Sequence, residues 1–83
     1  MIIEKMQYSD FGKFIRMKRE TLLPKVSLNK FAIDNDLEPA TLSRIENCKQ
    51  AVKLSDVGKI ASGFNMLASE LLNEYENSKS KPL

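Results

Sequence analysis

The residues best placed to do chemistry lie in the run EPATLSRIENCKQ at residues 38–50. Wound as a helix at about 100° per residue, the run puts Leu42 and Ile45 on one side with Thr41 close to them. Ala40, Ser43, Arg44 and Asn47 share the opposite side. That side is low and polar around one long cation, because Ala40 and Ser43 keep the surface flat while Arg44 reaches beyond it. Such a helix suits the major groove of DNA. There a guanidinium binds guanine O6 and N7 together, a methyl meets thymine, and a hydroxyl donates or accepts. An ordinary solvated face is the competing reading of the same wheel. Glu46 falls beside Leu42, near the core, where a carboxylate is costly to desolvate unless a cation meets it. Arg19 is the expected partner, since a guanidinium grips a carboxylate through two parallel bonds. A Glu46 turned into water at the helix end is the alternative.

No other chemistry is assembled in the chain. Its 83 residues include no His, no Trp and a single Cys, so no metal, haem or iron–sulfur site is expected, and no cofactor. One Cys also excludes an internal disulfide. Without His or a second Cys there is no nucleophile–base pair in a recognisable setting, and an enzyme is not expected. Gly12, Gly58 and Gly63 are isolated and make no phosphate loop. Cys48 is read as a passive thiol. The opening MIIEKMQYSD is apolar for only two residues before a charge; it is neither a signal peptide nor a membrane span, and a cytoplasmic location is expected.

The formal net charge is only +2, but it is unevenly spread. Residues 11–30 carry Lys13, Arg16, Lys18, Arg19, Lys25 and Lys30 against Glu20 alone, whereas Asp34, Asp36 and Glu38 follow as an acidic stretch and the C-terminal third holds Glu70, Glu74 and Glu76. A basic front and an acidic back point to a polyanion at one face.

The elements that must position these residues are helices, because the apolar residues recur at three and four and nowhere alternate. Phe11, Phe14, Ile15 and Leu22 form one stripe, with Ser9 or Asp10 available as its cap and Pro24 ending it no later than Leu23. Ser27 caps a short second helix with Leu28, Phe31 and Ala32 inside. Pro39 opens the third, which runs to about Asn47. Leu54, Val57, Ala61 and Phe64 define a fourth, and Met66, Leu67, Leu71 and Leu72 a fifth. The expected architecture is all-α, one five-helix domain over residues 1–83. Residues 1–9 form an N-terminal extension, 10–75 the helical core and 76–83 a flexible tail.

SLNKFAIDNDLEPATLSRIENCK resembles the helix-turn-helix of the phage repressor and Cro-like (XRE) transcriptional regulators. Ser27, Phe31, Ala32, Leu37, Thr41, Leu42, Ser43, Arg44, Ile45, Glu46 and Asn47 stand in that family's order and spacing. FGKFIRMKRE is similar to its first helix and LSDVGKIASGFNMLASELL to its last two, so the resemblance covers about residues 10–73. It implies a lambda-repressor-like fold with Arg44 at a base-reading position and Pro39, Ala40 and Ser43 beside it. Thr41 and Asn47 fall where the family contacts phosphates or orders the helix ends. Lys49, with Arg16 of the first helix and Lys30, is expected to meet phosphates as a point charge. The Arg19–Glu46 pair also matches a buried pair of the family. Cys48 stands where the pattern has Gly, at a helix end that often takes positive φ. There a side chain costs about 1 kcal/mol, or the turn takes another shape. Asp36 replaces a second Gly, which Asp tolerates moderately well.

Met66, Leu67, Leu71, Leu72 and Tyr75 are more apolar than one packed side requires. They belong either to the core or to a two-fold interface with a second copy. A homodimer would set two reading helices one DNA turn apart, about 34 Å, over a pseudo-palindromic operator. The expected function is therefore a sequence-specific DNA-binding transcriptional regulator of the kind found as phage repressors, restriction–modification controllers and antitoxins, with a toxin as a conceivable protein partner. The other class is a protein-interaction module that keeps this fold without DNA.

Overall fold

The computed structural model describes residues 8–79, and the described residues are all-helical with no strand. Five helices follow one another: α1 (Tyr8–Glu20), α2 (Leu28–Asp34), α3 (Pro39–Glu46), α4 (Leu54–Gly63) and α5 (Ala68–Lys79). None is long and apolar enough to cross a membrane. The start of α1 at Tyr8 puts Ser9 and Asp10 inside the helix, so neither is its cap. The first seven residues of the expected extension lie outside the described residues. At the other end α5 continues to Lys79; residues 76–79, expected in a tail, are helical, and 80–83 lie outside the described residues.

The core is built from the faces that the three–four spacing selects. Phe11, Phe14 and Ile15 of α1, Phe31 and Ala32 of α2, Leu42 and Ile45 of α3, and Val57, Ile60 and Ala61 of α4 are buried together with Leu71 and Tyr75 of α5. Tyr75 stands edge-on to Phe11, with ring centroids 5.1 Å apart and planes at 83°. It lies 5.4 Å from Phe14. Leu54 is the exception in α4. It sits at the first position of that helix and is exposed rather than inward.

The closest helix packings are α1 with α3, α4 with α5 and α2 with α3. Gly12 sets the first. A methyl group there would run into the carbonyl oxygen of Ile45, so a missing side chain lets α1 lie directly on α3. Lys18, in the last turn of α1, bonds both carboxylate oxygens of Glu74 midway along α5 at 3.0 Å and lies 5.2 Å over the ring of Phe64, just past α4.

Three helices end in the same way. Asp36, Cys48 and Asn65 take φ of 62°, 64° and 64° just past α2, α3 and α4. In each case the next N–H reaches back to the carbonyl of the last turn: Leu37 to Ala32 at 2.8 Å, Lys49 to Arg44 at 2.8 Å and Met66 to Ala61 at 2.9 Å. These are Schellman closures, which satisfy carbonyls that a helix end leaves open. They also turn the chain back on itself. Leu37 is thereby buried and α3 begins one residue after Glu38, against α2. Cys48 therefore keeps the left-handed turn and accepts its strain.

Candidate functional site

Ser27 opens α2 by accepting from the N–H of Lys30 at 3.1 Å, and Pro39 opens α3 at a position where an N–H has no helical partner. Between them the Asp36 turn fixes how α3 sits on α2. Leu42 and Ile45 are fully buried, which sends Ala40 and Arg44 outward into solvent, with Pro39, Thr41 and Ser43 half-buried at their sides. The outward face of α3 thus carries one long cation above small neighbours.

Arg44 does not wave freely on this face. Its Nε donates to Gln50 Oε1 at 2.7 Å and one terminal nitrogen, Nη2, approaches Thr41 Oγ1 at 3.4 Å. The guanidinium lies along one wall of a cleft of about 480 Å³ between α3 and α4 that also holds Glu38, Lys53, Asp56 and Lys59. Lys53 and Lys59 were not among the residues expected at the site. Nothing in their spacing points there, because only the reversal at Cys48 brings α4 beside α3.

Asn47, expected either to contact phosphate or to order the helix end, turns its amide back onto α3. Its amide nitrogen donates to the Ser43 carbonyl at 2.9 Å and to Ser43 Oγ at 3.2 Å. These bonds help close the end of α3 and hold the Ser43 hydroxyl. Thr41, likewise, presents its hydroxyl to Arg44.

Among the expected phosphate ligands, Arg16 and Lys30 each carry an acid one turn further on. Arg16 Nε meets Glu20 at 3.1 Å and Lys30 meets Asp34 at 3.0 Å. Exposed pairs of this kind contribute only about 0.3–0.5 kcal/mol, so a phosphate can displace either acid. The pairing was readable from the i, i+4 spacing. Lys49 is exposed and has no ion-pair partner among the described residues. Arg16 lines a second cleft, of about 310 Å³, with Lys13, Asn47 and Cys48. Lys13, one turn before Arg16 on the same side of α1, therefore also stands beside the C-terminal end of α3. Asp36 of the acidic stretch is met by Lys59 at 3.6 Å.

Beneath this face the Arg19 guanidinium spans Glu46. Nε–Oε2 and Nη2–Oε1 are both 2.8 Å, and Nη1 donates to the Val26 carbonyl at 2.9 Å. Both residues are buried, at 9% and 4% exposed. The hydrogen bonds to Glu46 hold the guanidinium above its ordinary range, against the opposing effect of burial. The carboxylate is thus inside, not turned into water.

The five apolar residues of the last segment separate. Leu71 and Tyr75 are 0% and 1% exposed and pack in the core of the single chain. Met66 and Leu72 are half-buried against it. Leu67 is 67% exposed and precedes α5, its N–H capped by Glu70 at 2.8 Å. Among the described residues no group of three or more His, Cys, Asp or Glu could hold a metal. No protein-family model matches the chain and no curated protein matches it, so the function of this face rests on its own residues.

Proposed function

We propose that the protein is a sequence-specific DNA-binding transcriptional regulator of the phage-repressor and Cro-like type, with α2 and α3 as a helix-turn-helix and α3 in the major groove. One observation carries the reading. The outward face of α3 presents a single exposed guanidinium, Arg44, held by Gln50 and Thr41 on a face whose other side chains, Ala40 and Ser43, are small, on a helix packed against α2 and α1 from behind. An exposed, pre-oriented cation among small side chains on a well-packed helix suits a base edge in a groove. Lys49, Lys13 and Arg16 flank the C-terminal end of the same helix and supply phosphate contacts. Of the apolar residues in the last segment, Leu67, with Met66 and Leu72 beside it, remains accessible to a second copy, and a two-fold pair reads a pseudo-palindromic operator.

The test is a fluorescence-anisotropy titration with duplex DNA from upstream of the protein's own gene, beside a scrambled duplex, at low and physiological salt. Site-preferring binding that weakens as a steep power of salt concentration supports the reading. Equal weak binding to both duplexes leaves a DNA binder with its operator elsewhere.

A second reading, a protein-interaction module without DNA, is favoured by the acids that stand against the cations: Glu20 on Arg16, Asp34 on Lys30 and Asp36 on Lys59. Absence of binding to either duplex at low salt selects it.

A further inference from the structure

Resting on the DNA-reading function proposed above, we infer that Gln50 is a specificity-determining residue that orients Arg44 for end-on reading of a base. A guanidinium offers five N–H donors in a fixed fork and can present either its two terminal nitrogens or its Nε and one terminal nitrogen. In this protein Gln50 Oε1 occupies the Nε–H at 2.7 Å, which removes the second presentation. Thr41 Oγ1 approaches Nη2 at 3.4 Å and takes at most one of its two hydrogens. With Thr41 on the Nη2 hydrogen that lies on the Nε side, one N–H from each terminal nitrogen is left as the parallel pair that matches guanine O6 and N7.

The backbone makes the arrangement durable. Cys48 turns left-handed at φ 64° and the N–H of Lys49 closes on the carbonyl of Arg44 itself at 2.8 Å. The turn that ends α3 therefore delivers Gln50 to the same residue whose side chain it holds. Gln50 is half-buried, and its acceptor is neutral, so it fixes the cation without cancelling its charge. A long side chain already held in its working geometry loses less freedom on binding than a free one.

The test uses the full chain and a duplex that it recovers from a randomised pool, with each guanine of that duplex replaced in turn by adenine. Gln50→Ala is expected to lower the ratio of affinities between the selected duplex and its substituted form by about three- to tenfold. The loss falls on the selected duplex. Gln50→Glu keeps an acceptor on Nε and is expected to retain the ratio while weakening binding to every duplex. A Gln50→Ala variant that keeps the wild-type ratio, or that weakens all duplexes alike, overturns the inference. A second arm needs no DNA: the Arg44 Nε–H should exchange with solvent more slowly in the wild type than in Gln50→Ala by NMR. Equal exchange shows that Gln50 does not hold Arg44 and sinks the inference whatever the duplexes do. Slow exchange in a wild type that selects no duplex overturns the DNA reading and, with it, any base-reading role for the contact.

Discussion

Arg19 and Glu46, 27 residues apart in sequence, meet through two parallel hydrogen bonds of 2.8 Å between α1 and α3. The third guanidinium bond, to the Val26 carbonyl, pins the loop that leads into α2. One cation therefore fixes three elements behind the outward face of α3. The pair stands inside because its polar atoms are matched on both sides, which is the condition for a buried charge to be tolerated.

Glu46→Ala leaves that guanidinium buried without its carboxylate. The expected loss is about 3–5 kcal/mol, read from urea unfolding; a loss under about 1 kcal/mol would show that the pair is solvated in solution. Arg19→Met with Glu46→Leu removes both charges and is expected to recover most of the loss, since two apolar side chains need no partner.

Cys48→Gly acts in the opposite direction. The left-handed turn at φ 64° suits a residue without Cβ. The variant is expected to gain about 0.5–1 kcal/mol after the greater freedom of glycine in the unfolded chain is subtracted. A fall in the urea midpoint would mean that the half-buried thiol packs more favourably than the turn is strained.

The wheel of residues 38–50 suffices to put Leu42 and Ile45 inside, Arg44 outside and Glu46 against the core, because each follows from position on one short helix. The choice of Arg19 as partner follows from charge and reach. What lies beyond one helix is less legible. Tyr75 and Leu71 read equally well as core or as interface, since an apolar face does not say which surface will cover it; Phe11 and Phe14 settle that for Tyr75. Leu54 has the right spacing for the core of α4 yet lies at its first turn, where the neighbouring helices do not reach. Asn47 sits where a phosphate contact is plausible, but its amide turns home to Ser43, a local bond that competes with any external one. Gln50 gives no signal at all before the chain reverses at Cys48.

Tyr75 makes the fold sensitive to alkali. Burial raises its phenol above the ordinary value, with the charges of Asp10 and Glu76 adding to the effect. In the unfolded chain the phenol ionises near pH 10, while in the folded chain it stays protonated to higher pH. The unfolded state then binds fewer protons, so stability falls as pH rises. This contribution is complete below about pH 10 and disappears as the pH climbs through the folded value. Tyr75→Phe should remove it. Urea unfolding at neutral pH and above pH 10 is expected to show the wild type losing ground to the variant, and parallel pH profiles would mean that the hydroxyl reaches water.

Arg44 and Lys49 separate reading from anchoring. Both are exposed cations near the end of α3, and net charge treats them alike. Their settings differ. Arg44 is held by Gln50 and Thr41 on the outward face of α3, whereas Lys49 lies in the turn beyond the helix. If the α3 face reads a guanine, Arg44→Ala should cost about 1–3 kcal/mol on the selected duplex and relax the preference at that base. It should leave binding to random duplex nearly unchanged. Lys49→Ala should weaken every duplex equally and lower the dependence of affinity on salt by about one phosphate. The contrast is sharper than either variant by itself. Equal losses for Arg44→Ala on selected and random DNA would make it a backbone contact, and the small residues around it would then have no reading role.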